Sequence, residues 1–355
     1  MKKLAIIHRD LQHIYTGGQY RLAQVLSHAK KKRYNVEVIS CGNIPGVAVE
    51  NRISLIIYFI KYYLKHRDNI FTFTDHSLHF ILIIPLLIGR FFGNRYGMNC
   101  NQTFYNFRKS TIAKLIEFIC EYIFLHAASL RIIPSEPAVD YFQFFHLHHA
   151  GKSVIVNPAA RIISKKKIRF RTQAGNIIFV GQVRWWKGLD ILIQALGHIK
   201  QPSLNLDIAG EYDPCSRYFK YLKTLIHKHN LEARITFHGN LPPQDLADLY
   251  QKADLLVLSS YYETYGIVLL EALSFGLPIV TSTIPSAKVI VKDRVNGLYY
   301  ETGNAEALAR VLSELCSDKK LRKFIHKNNL RASKNPRTWE MVAGETVAAI
   351  DRFLS

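Results

Sequence analysis

Residues 259–278 have the sequence SSYYETYGIVLLEALSFGLP and continue an apolar run, ADLLVL, that starts at residue 253. The run predicts a strand, the next residues predict a loop, and the apolar positions after Gly266 predict a helix that ends at Gly-Leu-Pro. Glu263 lies in the predicted loop, and Glu271 follows eight residues later within the helix. The pattern predicts a strand–loop–helix unit of an α/β domain, with both carboxylates pointing into one cleft.

The loop and the start of this helix suit a phosphorylated sugar. Gly266 leaves backbone N–H groups free at the helix start, where Ile267 and Val268 follow, and such groups bind phosphate. The carboxylates of Glu263 and Glu271 would accept hydrogen bonds from sugar and ribose hydroxyls. A glycoside hydrolase also uses two carboxylates, but it places them across the scissile bond. A spacing of eight residues over one strand–helix turn does not indicate that arrangement.

An earlier glycine loop supplies the positive charge that a diphosphate needs. Residues 176–188, NIIFVGQVRWWKG, predict a strand that ends at Gly181 and a loop that opens a helix. Arg184 and Lys187 lie in this loop, where two cations and free backbone N–H groups would converge on one anion. The loop is not a Walker motif, because it lacks the spacing and the Ser or Thr that holds magnesium.

The first part of the chain predicts another parallel sheet. Apolar runs at residues 4–8, 35–40 and 69–76 are interspersed with helical patterns, as is typical of strands joined by crossover helices. Ligands gather beyond the carboxyl ends of such strands. Four residues there are candidates for an acceptor or cleft site: Gly17, Gly18, Asp75 and His76. The alternative for the glycine pair is a tight turn, and a single histidine is more often structural.

The chain length of 355 residues favours two domains, since a single core rarely organises that many residues. The basic run KKKIRFR at residues 165–171 is typical of a solvated linker. Binding of anionic headgroups is the alternative for this run. We therefore predict a domain boundary at residue 165.

The formal net charge of +20 indicates an anionic partner. Basic residues lie among aromatic ones at residues 56–67, IIYFIKYYLKHR, a mixture that favours an anionic membrane surface. The motifs of nucleic-acid-binding proteins are missing from the sequence, so no nucleic-acid partner is expected. The apolar run of residues 80–89 is about half as long as a membrane-spanning helix. It predicts a buried helix or, as the alternative, a helix that dips into a membrane surface.

The cysteines and the N-terminus bear on the cellular compartment. Five cysteines, an odd number, form neither a C-x-x-C pair nor a zinc-type spacing, which fits free thiols in a reducing compartment. The apolar run at residues 4–7 is too short for the core of a signal peptide. We therefore expect a cytoplasmic protein, peripherally associated with the inner face of the plasma membrane.

The order of motifs in the second half resembles that of retaining glycosyltransferases of family 4, the glycosyl transferases group 1. The pair of glutamates alone is a weak signal, but it falls in the family's order together with other positions. These positions are Gly181, Lys187, Gly188, Gly210, Phe237, His238, Gly239, Ser260, Glu263, Glu271, Gly276, Leu277, Pro278, Asn296 and Gly297. The resemblance implies the α/β GT-B fold, with two Rossmann-like parallel-sheet domains facing a central cleft.

The resemblance also assigns a task to each domain. Residues 1–165 would bind the acceptor, residues 166–335 would bind the nucleotide sugar, and a helix over residues 336–355 would pack back on the first domain. Gly17 and Gly18 resemble the family's first-loop glycines, which lie against phosphate or acceptor. A membrane-associated glycan or lipid acceptor, as in the biosynthesis of lipopolysaccharide or another cell-surface polysaccharide, would suit the basic, aromatic-rich character of the first domain.

The implied reaction is transfer of a hexose-type sugar, with retention of anomeric configuration, from a nucleoside diphosphate donor such as a UDP- or GDP-sugar. Glu263 would contact the hydroxyls of the donor sugar, Glu271 the ribose, and Lys187 the diphosphate. The other donor-binding positions are Gly181, Gly239, Tyr265, Gly266, Ile267 and Val268.

Three positions depart from the family's pattern. Gln182 stands where the family usually has an arginine, which leaves Arg184 as its substitute. Asn99 lies where the family often has a histidine, and Lys288 lies where a carboxylate is common. These departures make the clamping of the diphosphate and the contacts of the first domain less typical of the family.

The expected chemistry is electrostatic. Departure of the nucleoside diphosphate builds negative charge on the β-phosphate, which Lys187, Arg184 and the helix end at Gly266 would stabilise. Glu263, Lys187 and Arg184 are therefore the predicted catalytic residues. The sequence has no D-x-D pair in the context of a metal-bound nucleotide, so we expect a metal-independent reaction without a cofactor.

Three other functions stay open at the level of sequence. A catalytically silent GT-B partner subunit fits the departures at Gln182, Asn99 and Lys288. A sugar-nucleotide epimerase or a phosphorylase would use the same fold. A nucleic-acid binder is suggested by charge alone.

Overall fold

Two parallel six-stranded sheets, each flanked by helices, make up the described part of the chain. The computed structural model describes residues 3–8, 17–31, 34–41, 52–65, 71–75, 79–100, 111–143, 152–164, 168–199 and 204–354. The chain divides into unit 1, Met1–Pro158 with Arg337–Ser355, and unit 2, Ala159–Pro336. The first segment of unit 1 thus ends at Pro158, before the predicted boundary at residue 165, and the last helix of the chain also belongs to unit 1.

The described residues form twelve strands and thirteen α-helices. The strands are β1 (Lys3–His8), β2 (Asn35–Ser40), β3 (Phe71–Asp75), β4 (Arg95–Asn99), β5 (Leu130–Ile133), β6 (Ser153–Ile155), β7 (Asn176–Val180), β8 (Asn205–Ala209), β9 (Ile235–Gly239), β10 (Leu255–Leu258), β11 (Ile279–Ser282) and β12 (Gly297–Tyr300). The helices are α1 (Gly17–Lys31), α2 (Arg52–Lys65), α3 (His79–Phe91), α4 (Thr111–Ala127), α5 (Glu136–Gln143), α6 (Leu189–His198), α7 (Arg217–Lys228), α8 (Pro243–Lys252), α9 (Ile267–Ser274), α10 (Pro285–Ile290), α11 (Ala305–Ser317), α12 (Lys319–Ala332) and α13 (Trp339–Leu354).

The sheet of unit 1 has the strand order β2-β1-β3-β4-β5-β6, and all neighbouring strands are parallel. From β2 onward the chain crosses the sheet in one direction, so right-handed crossovers put α2, α3 and α4 on the same face. There α2 packs against α3, and α3 packs against α4. The C-terminal helix α13 packs against α1.

The apolar run of residues 80–89 lies within α3. Leu82 and Leu86 are buried in the core of unit 1, whereas Ile84 and Leu87 are exposed. This helix therefore has one buried and one exposed apolar side. Among the helices in the described ranges, none has the length and apolar character needed to cross a bilayer.

The sheet of unit 2 has the strand order β12-β11-β10-β7-β8-β9 and is also parallel throughout. Successive strand residues point to opposite faces of a sheet. Ile177 and Phe179 accordingly pack with residues of α6, α7 and α11, whereas Ile178 and Val180 pack with residues of α8, α9 and α10. Helices cover both faces, which explains why the strands of this unit are apolar along their whole length.

Candidate functional site

A crevice is expected where the strand order of unit 2 reverses. β7 and β10 are adjacent and parallel, but the chain continues from β7 toward β8 on one side and from β10 toward β11 on the other. The loops that leave the carboxyl ends of β7 and β10 therefore diverge, and ligands of open α/β sheets bind at such a point. Both loops carry predicted site residues.

The loop after β7 is held against the loop after β10 at Gly188. It contains a short 3-10 helix, Trp185–Lys187, and Gly188 follows with φ 63°. A Cβ atom at Gly188 would lie 2.0 Å from the carbonyl oxygen of Ser259, so only glycine fits both the backbone conformation and the space. The Ser259 hydroxyl donates a hydrogen bond to the Lys187 carbonyl oxygen at 3.0 Å. These contacts fix the position of Lys187 beside the end of β10.

Lys187 and Glu263 form an ion pair between the two loops. The distance from Lys187 Nζ to Glu263 Oε1 is 2.5 Å, and the side chains are 19% and 13% exposed. The Ser260 hydroxyl donates a second hydrogen bond to the same oxygen at 2.8 Å. Partial burial strengthens such a pair relative to a surface ion pair. The structure thus brings together two of the three predicted catalytic residues.

Further hydrogen bonds hold the loop after β10 in place. The Tyr261 N–H donates to the Trp186 carbonyl oxygen at 2.8 Å, and the Ser282 hydroxyl donates to the Ser260 carbonyl oxygen at 2.6 Å. Ser259 and Ser260 are fully buried. The loop that carries Glu263 is therefore tied both to the loop after β7 and to the end of β11.

The other predicted cation, Arg184, precedes the 3-10 helix. Its half-buried guanidinium has no hydrogen-bond or ion-pair partner among the described residues. Gln182, which replaces the family's usual arginine, donates a hydrogen bond from Nε2 to Glu211 Oε2 at 2.9 Å. The structure therefore holds Gln182 in a contact with an acidic side chain and leaves Arg184 as the cation of this loop nearest to Lys187 in the chain.

The start of α9 has the geometry expected of an anion-binding helix end. Gly266 precedes the helix with φ 87°, and no side chain caps it. The N–H groups of Ile267 and Val268 consequently have no partner within the helix. Tyr265, just before the glycine, is buried. The predicted contact of these backbone groups with a phosphate stays a prediction.

Glu271 lies in a different environment from Glu263. Its side chain is 0% exposed, and Oε2 accepts a hydrogen bond from the Tyr250 hydroxyl at 2.7 Å. Oε1 accepts from the Arg161 backbone N–H at 3.3 Å and lies 3.7 Å from Arg161 Nε. Burial raises the pKa of Glu271, while Arg161 and Tyr250 act in the opposite direction. A ribose hydroxyl at Oε1 would have to compete with Arg161, and this predicted contact is untested.

Glycines end three neighbouring strands beside these loops. Gly181 follows β7, Gly210 follows β8, and Gly239 ends β9. The Gly181 N–H donates to the Ala209 carbonyl oxygen at 2.9 Å, and the Gly210 N–H donates to the Gly239 carbonyl oxygen at 2.8 Å. The predicted donor-binding positions Gly181 and Gly239 therefore lie along the same carboxyl edge of the sheet.

In unit 1 the strand order reverses between β1 and β3. Gly17 and Gly18 begin α1, which follows β1, and Asp75 is the last residue of β3. His76 lies outside the described residues. The predicted cleft residues of unit 1 that are described thus belong to elements at its own reversal point.

Sequence reasoning missed two arginines, Arg21, which is buried, and Arg161, whose side chain is 23% exposed. Arg21, in α1, donates to Asn99 Oδ1 at 3.3 Å and to the Val156 carbonyl oxygen at 2.8 Å. Asn99 is fully buried at the end of β4, so its amide takes part in a packed polar contact. Arg161, the partner of Glu271, is the other arginine. Neither belongs to a motif, so no sequence signal could have singled them out.

The described residues contain no group of three or more His, Cys, Asp or Glu side chains that could hold a metal ion.

Residues 160–331 match the family model described as glycosyl transferases group 1. The matched residues make up just under half of the chain. They contain the Lys187–Glu263 pair, Arg184, Gly266 and Glu271.

Curated relatives align with a part of the chain that spans about half of their own length. An uncharacterized glycosyltransferase of Methanocaldococcus jannaschii is 32% identical over 190 residues, which cover 52% of this chain and 48% of that protein. A D-inositol 3-phosphate glycosyltransferase of Xylanimonas cellulosilytica is 30% identical over 195 residues, which cover 55% of this chain and 45% of that protein.

Solved structures resemble the chain well beyond residues 160–331. Sucrose-phosphate synthase from Thermosynechococcus elongatus has a TM-score of 0.80 at 18% identity, covering 100% of this chain and 99% of that chain. Anabaena HepE in complex with UDP-glucose has a TM-score of 0.75 at 16% identity, covering 99% and 100%. WaaG, a glycosyltransferase involved in lipopolysaccharide biosynthesis, has a TM-score of 0.73 at 18% identity, covering 98% of both chains. These likenesses confirm the predicted α/β GT-B fold.

Proposed function

We propose that this protein is a glycosyltransferase that transfers a hexose-type sugar from a nucleoside diphosphate donor, with retention of anomeric configuration. The observation that carries the proposal is the ion pair of Lys187 and Glu263. It lies beyond the carboxyl ends of β7 and β10, where the strand order reverses, within the residues that match the group 1 model. An ammonium and a carboxylate held side by side supply the two groups that a sugar diphosphate needs. The cation meets the phosphate, and the carboxylate meets the sugar hydroxyls.

Lys187 is proposed to bind the β-phosphate and to stabilise the charge that develops there as the sugar leaves. Its ammonium has three N–H donors, of which one is engaged by Glu263 at 2.5 Å. Arg184 and the N–H groups of Ile267 and Val268 would add to the positive potential. This stabilisation grows as negative charge builds up, so it lowers the barrier rather than only tightening binding.

Glu263 is proposed to accept hydrogen bonds from the donor sugar and to act in orientation, not as a nucleophile. Its Oε1 already accepts hydrogen bonds from Lys187 and Ser260, which lowers the nucleophilicity of this oxygen. In the proposed reaction the bond between the anomeric carbon and the β-phosphate oxygen breaks. The acceptor oxygen bonds to the same face of the sugar, and its proton passes to the leaving phosphate. Glu271 is proposed to contact the ribose.

The donor is proposed to be a UDP- or GDP-sugar, used without a metal or other cofactor. The fold shared with HepE, which binds UDP-glucose, supports a nucleotide-sugar donor. Lys187, Arg184 and the uncapped start of α9 are the groups proposed to supply positive potential to the diphosphate. That potential supports the proposal that cationic side chains and backbone dipoles take over the usual task of a metal ion.

The acceptor is proposed to be a membrane-associated glycan or lipid, in the biosynthesis of lipopolysaccharide or another cell-surface polysaccharide. The shared fold with WaaG supports this choice, as does the net charge of +20. We further propose that the protein works in the cytoplasm, peripherally at the inner face of the plasma membrane.

A thermal-shift screen of UDP- and GDP-sugars tests the proposal, followed by release of nucleoside diphosphate in the presence of a membrane extract as acceptor source. One nucleotide sugar is expected to raise the melting temperature and to be turned over. Glu263→Gln should abolish turnover, whereas Glu306→Gln, at an exposed position of the same unit, should not. No thermal shift and no turnover with any donor would refute the proposal.

A catalytically silent partner subunit is the second candidate function. It is favoured by Gln182, which stands where the family usually has an arginine. A neutral glutamine does not supply the positive charge of an arginine, and its amide donates a hydrogen bond to Glu211. The same experiments separate the two candidates. A silent subunit would show a thermal shift or none, but no turnover with any donor even when the extract supplies acceptor.

A further inference from the structure

Exposed apolar side chains are concentrated on three neighbouring helices of unit 1. Eighteen large hydrophobic side chains of the described residues are exposed, and nine of them lie on α2, α3 and α4. These nine are Ile53, Ile57, Leu64, Ile84, Leu87, Phe91, Ile119, Tyr122 and Ile123. Soluble proteins usually expose such side chains singly, so their concentration marks an interaction surface.

On each of the three helices the exposed apolar residues lie along one side. In α2 the second and third follow the first by four and eleven residues, in α3 by three and seven, and in α4 by three and four. These spacings return to the same side of an α-helix. The opposite side of α2 packs into the core of unit 1, where Leu55 and Phe59 are buried. The exposed stripes are therefore a second apolar side of these helices.

The three stripes belong to one surface, which we call the α2–α4 face. α2 packs against α3, and α3 packs against α4, on the same side of the sheet. Phe91, at the end of α3, is 86% exposed, and Ile53, near the start of α2, is 70% exposed. Side chains this exposed contribute nothing to the core of unit 1, so their apolar character calls for a partner.

The charge of the α2–α4 face selects the kind of partner. α2 and α3 contain four basic residues and no acidic one: Arg52, Lys61, Lys65 and Arg90. α4 adds Lys114, Glu117 and Glu121, of which Glu121 is buried, so basic residues outnumber acidic ones on the three helices. Lys61 and Lys65 are exposed next to the stripe of α2. Apolar side chains flanked by lysines are typical of helices that lie in the headgroup region of an anionic bilayer. A second copy of the chain on this face would bring the lysines of both copies together, which disfavours a dimer.

We propose that the α2–α4 face docks on the surface of an anionic lipid bilayer. Phe91 and its apolar neighbours enter the boundary between headgroups and acyl chains, and Lys61 and Lys65 meet the lipid phosphates. The inference deepens the proposed function, since it gives the enzyme direct access to a membrane-associated acceptor. The docking itself does not depend on catalysis, so the two are tested separately.

The test is flotation of the full chain with vesicles of phosphatidylcholine alone or with about 30% phosphatidylglycerol. The wild-type protein is expected to float only with the anionic vesicles, and less at high salt. The double change Ile84→Ser with Phe91→Ser should weaken binding at least about tenfold, since each side chain loses its apolar burial. Lys61→Gln with Lys65→Gln should weaken it about 25-fold, because each lysine contributes about fivefold.

Matched changes outside the face serve as controls. Phe324→Ser, at a side chain 52% exposed on α12, and Lys319→Gln with Lys320→Gln, both exposed at the start of α12, should leave flotation within about twofold. Equal flotation of the wild type and the Ile84/Phe91 variant would overturn the proposal, as would equal losses in the controls. The proposal would also be overturned if sedimentation shows a dimer that the Ile84/Phe91 change converts to a monomer while vesicle binding stays unchanged.

Binding of nucleotide sugars to the same variants separates this inference from the proposed function. Face variants that still show a donor-induced thermal shift are folded, and their loss of flotation then supports docking. The opposite outcome is that no nucleotide sugar raises the melting temperature of the wild type or of any variant, while the flotation results are as expected. In that case the docking proposal is supported and the proposed function is refuted.

Discussion

Replacement of Lys187 by methionine tests the site in two separate measurements. The change removes the charge but keeps most of the side-chain volume. Exposed ion pairs contribute about 0.2–1 kcal/mol, and loss of one partner from a fully buried pair costs about 3–5 kcal/mol. With side chains 19% and 13% exposed, the Lys187–Glu263 pair falls between these limits. We expect a loss of about 1–2 kcal/mol in the free energy of unfolding.

A double-mutant cycle isolates this interaction. Lys187→Met, Glu263→Gln and the double variant are unfolded with urea, and the coupling free energy is expected to be about 1–2 kcal/mol. With saturating UDP the coupling should shrink, because the diphosphate competes with Glu263 for the ammonium. Lys228→Met, at an exposed lysine of α7, is the matched control and should change neither quantity.

The same Lys187→Met variant is expected to bind UDP about 10- to 150-fold more weakly, measured by isothermal titration calorimetry. That range corresponds to the loss of one charge-assisted hydrogen bond, about 1.5–3 kcal/mol. An affinity for UDP within about twofold of wild type would refute the assignment of Lys187 to the diphosphate. A coupling free energy indistinguishable from zero would refute the ion pair itself.

Three further predictions concern the packing around the site, each measured by urea unfolding. Gly188→Ala should lower the free energy of unfolding by at least about 3 kcal/mol, because its Cβ would lie 2.0 Å from the Ser259 carbonyl oxygen. Gly239→Ala should lower it by only about 1–2 kcal/mol, because the Cβ at this position would lie 4.0 Å from its nearest neighbour. Tyr250→Phe should cost about 1.5–3 kcal/mol, since it removes a hydrogen bond to the buried carboxylate of Glu271. Burial raises the pKa of Glu271 above its ordinary value of 4.5, so its protonated form favours folding, and the stability of wild type relative to Glu271→Gln should fall as the pH rises above about 4.5.

Each of these predictions has an outcome that would contradict it. Equal costs of the two glycine changes would show that the loops have room to separate. An unchanged stability of Tyr250→Phe would mean that the hydroxyl is not needed by the carboxylate. A stability difference between wild type and Glu271→Gln that grows with pH would reverse the sign of the pKa shift.

The sequence predicted the fold where local patterns repeat. Strand β7 has an apolar run followed by glycine, and β10 runs into the loop of Glu263, as the sequence indicated. The beginning of α9 after Gly266 follows from the same logic, because glycine permits the left-handed backbone that opens the helix. These features depend on residues close together in the chain.

The contacts of the site depend on residues far apart in the chain. Lys187 and Glu263 are separated by 76 positions, and they meet because β10 lies next to β7, a strand order that no local pattern specifies. Glu271 was expected to share a cleft with Glu263, but its carboxylate contacts Tyr250 and Arg161. The expectation could not include these contacts, because the rotation of α9 against α8 is set by packing of the core.

A crystal structure of the protein with bound UDP will show whether the Lys187–Glu263 pair marks the donor site. The diphosphate is expected to lie within hydrogen-bonding distance, about 3 Å, of Lys187 Nζ, with the N–H groups at the start of α9 facing a phosphate oxygen. A diphosphate bound elsewhere, with the ion pair of Lys187 and Glu263 intact and untouched by the nucleotide, would rule out this assignment.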